Sequence, residues 1–113
     1  MAYAKIQLKK HTKIYLKAFG YDLADPSQFI PSEINGRKAV DIHHIIGRGK
    51  GGEDRIEKLM ALTRKQHQEW GDKKNLIWNL FSMHRQHLKE HNVPFDNDWI
   101  EEQMKKYAYE KNP

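Results

Sequence analysis

The chain contains no cysteine, which excludes both a disulfide framework and a thiolate metal site. It has no apolar run of the roughly 20 residues that a membrane-crossing helix needs. No stretch reads as a signal or transit peptide. Proline is scarce, at four residues, and two of them serve as punctuation: Asp25-Pro26 reads as a turn and Pro94 as a helix stop. Acidic residues are missing from the first twenty positions, which hold five lysines. Glycine is also sparse, yet four of the seven fall between Gly47 and Gly52.

What remains fits one small domain of 113 residues, with hydrophobic residues at 38% and charged residues at 31%. That balance is polar and soluble without the composition of a disordered chain. The net charge is +5 and the pI about 9.4. The excess is uneven, because Arg37, Lys38, Arg48 and Lys50 add to the lysines of the N-terminal segment. A basic face suits a polyanion such as nucleic acid, and it equally suits a merely well-solvated surface.

The pattern predicts an α+β fold with one small sheet. Residues 4–19 read as a helix stopped by Gly20. Asn35-Gly36 is a strong hairpin signal, and it predicts strands over Phe29 to Ile34 and Lys38 to Ile45. "RIEKLMAL" is a short apolar segment that returns to this hairpin. Thr63 is placed to cap a helix running to about Trp70. A helix over Lys74 to His91 turns Leu76, Ile77, Leu80, Phe81, His84, Leu88 and His91 to one side. Asp98 is expected to cap a last helix through about Tyr107. The motif core spans about 29–72, with helical extensions at 4–19 and 74–109.

The chemistry concentrates in "DIHHIIGRGKGG", residues Asp41 to Gly52. Adjacent strand residues face opposite sides of a sheet, so His43 and His44 need different roles. His67, at the start of a helix, can converge with a strand histidine if that helix packs on the hairpin. The result is a nitrogen-rich metal site beside an imidazole that can act as a base. The glycines between Gly47 and Gly52 admit a ligand close to the backbone, and Arg48, Lys50 and Arg55 offer phosphate contacts. Metal, base and phosphate loop together point to phosphodiester hydrolysis.

"DIHHIIGRGKGGEDRIEKLMALTRKQH" resembles the HNH endonucleases, the ββα-metal nucleases, and most of all the small bacteriophage members of that family. The likeness covers Ser32 to Gly71, about a third of the chain. It rests on "HHI", "GG", "LMAL" and a helix histidine at matching spacing. The resemblance implies His43 as a metal ligand, His44 as the general base and His67 as the first helix ligand. It also implies one divalent ion (Mg²⁺, Mn²⁺, Ni²⁺ or Zn²⁺), double-stranded DNA as substrate, and hydrolysis or nicking by a water that His44 activates. A phage or prophage origin, action in the bacterial cytoplasm and a place beside phage packaging proteins are further implications.

The sequence departs from the family pattern at three points. Lys58 stands where an asparagine would brace the base histidine. Gly71 stands at the second helix-ligand position, with Asp72 next to it as a possible substitute ligand. Ser32, Asn35, Thr63 and Gln66 replace the cysteines that hold a structural zinc in many relatives, so no structural zinc is expected and hydrogen bonds must tie hairpin to helix. His84, His87 and His91 read as core or interface histidines, or else His84 or His91 supplies the ligand missing at Gly71. The alternative to an enzyme is a nucleic-acid-binding module that keeps the fold with a weakened site.

Overall fold

The computed structural model describes residues 8–47, 53–71 and 73–108. Within them the fold is α+β. Helix α1 (Lys10–Phe19) precedes strand β1 (Asp41–His44) and strand β2 (Leu59–Leu62). Next comes a short helix α2 (Arg64–Gln66), which widens into a π-helical turn at His67–Gly71. Helices α3 (Ile77–Glu90) and α4 (Asn97–Tyr107) close the described chain.

β1 and β2 form a two-stranded antiparallel sheet in which Asp41 faces Leu62, Ile42 faces Ala61, His43 faces Met60 and His44 faces Leu59. All four residues of β2 are fully buried. Met60 and Leu62 pack into a core with Ile77, Leu80, Phe81, Leu88 and Ile100 from α3 and α4. Leu59 and Ala61 pack on the other face with Tyr15 of α1. A strand covered on both sides has no solvent face, which is why "LMAL" is a continuous apolar run.

The expected first arm over Phe29 to Ile34 is not a strand. Asn35-Gly36 does turn the chain, with Gly36 at φ 76° and its N–H bonded to the Ser32 carbonyl. Beyond that turn the two arms share one bridge, Pro31 to Lys38. Pro31 has no N–H to give a ladder, and the Glu33 N–H goes across to the Ala61 carbonyl at 3.0 Å. The regular part of the second arm shrinks to β1, whose partner is β2.

The helices follow local chemistry. α1 starts at Lys10 rather than at residue 4; residues 4–7 lie outside the described chain. It ends as expected at Gly20, φ 77°, where Tyr21 N–H closes back on the Leu16 carbonyl at 2.9 Å. Its buried residues are His11, Tyr15 and Leu16, one helical stripe. Thr63 caps α2 in a reciprocal box: its hydroxyl accepts from Gln66 N–H at 3.1 Å, and Gln66 Oε1 accepts from Thr63 N–H at 2.9 Å. α4 is capped by Asp96, not Asp98, because Asp96 Oδ1 accepts from Trp99 N–H at 3.0 Å.

Candidate functional site

The two adjacent histidines do face opposite ways, and each meets a second histidine. On the α2 side the rings of His43 and His67 stand 4.7 Å apart. On the α1 side the rings of His44 and His11 stand 4.4 Å apart. Both strand histidines nevertheless border one cavity of about 470 Å³, together with His67, Gly71, Lys74 and Tyr107. β1 ends at His44, so the chain leaves the sheet just where both faces become reachable from the same opening.

His67 is held from behind. Its Nδ1 hydrogen-bonds to Asp41 Oδ2 at 3.1 Å, and Arg64 Nε donates to the same oxygen at 2.9 Å. Partial burial pushes the Asp41 carboxyl upward, but the hydrogen bonds from Arg64 and His67 outweigh it and hold the group below the usual carboxylate range. A carboxylate on one ring nitrogen fixes the tautomer and leaves the other nitrogen for a ligand, the arrangement found behind metal-binding histidines. Nε2 of His43 is buried beside this pair.

Gly71 explains its own identity. A Cβ there would sit 2.6 Å from His67 Cδ2 and 3.0 Å from His43 Cε1. The position that supplies a helix ligand in the family pattern is here kept bare, so that the two rings can close on each other. The pair could offer a metal two imidazoles, a set that would suit a divalent ion taking its other ligands from water or phosphate. Asp72, proposed as a substitute ligand, and the loop cations Arg48 and Lys50 lie outside the described residues.

His44 is braced by Asp54. Its Nε2 lies 2.9 Å from Asp54 Oδ1, and the Asp54 side chain is 5% exposed. Lys58, at the motif's asparagine position, is fully buried in the turn before β2, where its carbonyl accepts from Ile45 N–H at 2.8 Å. The contact to His44 comes instead from four residues upstream of it.

Three expected site residues have partners of their own. His84 is fully buried, with Nδ1 on Glu33 Oε1 at 2.6 Å and Nε2 on the Ile56 carbonyl at 2.6 Å. A carbonyl can only accept, so Nε2 donates, and both nitrogens are committed. His84 is therefore not the ligand missing at Gly71. Burial opposes its protonation, but the Glu33 carboxylate and the Ile56 carbonyl prevail and raise its pKa. His91 is exposed at the end of α3, stacked on His87 at 4.1 Å and near Phe19 at 5.8 Å, away from the cavity. Burial lowers the pKa of its neighbour His87. Arg55, expected to offer a phosphate contact, donates to Glu57 at 2.8 Å and lies over the Trp99 ring at 4.5 Å.

Ser32, Thr63 and Gln66 form a polar clasp. Ser32 Oγ donates to Gln66 Oε1, and Ile34 N–H donates to Ser32 Oγ at 3.1 Å. With the Thr63 cap, these three side chains tie hairpin to helix. Asn35 closes its own turn by accepting from Arg37 N–H at 3.0 Å.

Sequence reasoning missed His11, Asp54 and the bracing role of Asp41. The stripe of His11 and Tyr15, four apart on α1, was the available signal, but only the docking of α1 against His44 gives it meaning. A scan against protein-family models, a search of curated proteins and a search of solved structures each found no match.

Proposed function

We propose that the chain is a divalent-metal-dependent endonuclease of HNH type that hydrolyses phosphodiester bonds in duplex DNA. One observation carries this reading: a braced imidazole pair, His43 with His67, and a separately braced imidazole, His44 with Asp54, border a single cavity.

Asp54 accepts from His44 Nε2–H and leaves Nδ1 as the proton acceptor. His44 then takes a proton from water, the oxygen attacks the scissile phosphorus in line with the leaving oxygen, the P–O bond to that oxygen breaks, and the leaving oxygen takes a proton from solvent. His43 and His67 are the residues that would hold the cation, which would supply positive charge to the phosphoryl oxygens and the leaving group. Asp41 holds His67 in register. Lys74, at the cavity wall, adds a cation where a DNA backbone would pass.

A second reading has specific support. The bare Gly71 leaves a two-imidazole set, and Lys58 replaces a bracing asparagine; both suit a nucleic-acid-binding module with weakened chemistry. Incubation of supercoiled plasmid with the protein and Mg²⁺, Mn²⁺, Ni²⁺ or Zn²⁺ separates the two. The nuclease reading expects open circles that disappear with chelator and with His44→Ala. DNA binding without nicking under every metal supports the module and rejects the nuclease.

A further inference from the structure

We propose that His11, His44 and Asp54 form a second metal site, suited to a transition metal such as Zn²⁺, whose occupancy takes His44 away from water activation. The proposal rests first on geometry. One donor atom from each of the three residues lies within 4.8 Å of the other two, and they are the only such His, Cys, Asp or Glu group among the described residues. His44 and Asp54 are already 2.9 Å apart. Ligands of a tetrahedral ion with bonds of about 2.0–2.2 Å sit roughly 3.4 Å from one another, so the widest pair closes by at most roughly 1.5 Å.

The site is built from three separate segments. His11 comes from the buried stripe of α1, His44 from the end of β1, and Asp54 from the turn before β2. His11 is 8% exposed and Asp54 5%, whereas the His44 side chain is 20% exposed and reaches the cavity. Of the three, His44 is the one that lines the cavity. Two imidazoles and one carboxylate are the donor set of three-ligand zinc sites with an open fourth position. Imidazole also selects against Mg²⁺, which prefers an all-oxygen octahedron. The His43 and His67 pair lies on the opposite face of the sheet and need not share the ion.

Binding at this site is independent of any activity, whereas its effect on cleavage rests on the nuclease reading. A nuclease driven by Mg²⁺ would be inhibited by Zn²⁺, because an ion on His44 blocks proton transfer.

Zinc titration of the full chain, followed by imidazole nitrogen NMR, tests the site directly. The ring signals of His11 and His44 should shift together, and should do so also in a His43→Ala/His67→Ala variant. His11→Gln should weaken this binding by at least roughly tenfold, since even outer-shell changes cost about that much. Silent His11 and His44 signals at saturating zinc overturn the proposal, and this measurement on the unmodified chain decides the matter even if His11→Gln fails to fold. Zinc bound at these residues while Mg²⁺-driven nicking proceeds unimpeded overturns the inhibitory role. Zinc bound there with no nicking under any metal supports the site and rejects only the nuclease reading.

Discussion

Gly71 and Asp41 are the residues on which the His43 and His67 pair depends. Gly71 contributes by having no side chain: a methyl group would have to displace the His67 ring, 2.6 Å away. Gly71→Ala should cost about 1–3 kcal/mol of stability, as overpacking typically does, and should weaken metal binding. Urea denaturation and metal titration of the same variant check both effects. Asp41 contributes through its oxygen on His67 Nδ1. Asp41→Asn should lower metal affinity by roughly 10–100-fold with little change in fold, read by calorimetry beside circular dichroism. At this scale the sequence was legible for the approach of His43 to His67, since a strand histidine and a helix histidine were expected to converge. It was silent on His11 and Asp54, because a histidine on a helix and an aspartate in a loop acquire a role only through what docks against them.

Among the elements, the join between hairpin and α2 is tied by hydrogen bonds. Thr63, Gln66 and Ser32 satisfy one another's hydrogen bonds and those of nearby backbone. Thr63→Ala should remove about 1 kcal/mol or somewhat more, the usual worth of a helix cap. Thermal unfolding measures it, and an unchanged midpoint would show that packing alone holds the join. Elements with a strong local pattern were readable: α3 by its apolar period, α2 by its cap, β2 by its unbroken apolar run. The arm before Asn35 misled, because β-rich composition there competes with Pro31, which cannot donate to a ladder. Asp98 misled in a smaller way. Two aspartates lie two positions apart, and only Asp96 reaches an unpaired helix N–H.

Across the whole molecule, one buried network joins α1, the hairpin turn and α3. Tyr15 donates to Glu33 at 2.6 Å, and Glu33 pairs with His84 on a fully buried contact. Burial, with the nearby carboxylate, drives the Tyr15 hydroxyl far above its ordinary pKa, so it remains a donor. Removing one partner of a buried ion pair costs about 3–5 kcal/mol, and Glu33→Gln should fall in that range. The sign of the pH dependence follows from His84. Its folded pKa is raised, so its contribution is fully present below about pH 6.5 and is lost as pH climbs through the folded value. The stability gap between wild type and Glu33→Gln should therefore narrow on the alkaline side in denaturant titrations across pH. A gap that widens there would contradict a protonated His84. This network was invisible in the sequence, where Glu33 sits in a turn and looks like surface charge.

The central claim concerns His44, and a single-turnover cleavage rate on a defined DNA duplex tests it most directly. With saturating Mg²⁺ and DNA affinity measured in parallel, His44→Ala should slow cleavage by at least about 100-fold, the usual contribution of a general base, while binding the duplex as tightly as wild type. Cleavage by His44→Ala at the wild-type rate would contradict the assignment of the base.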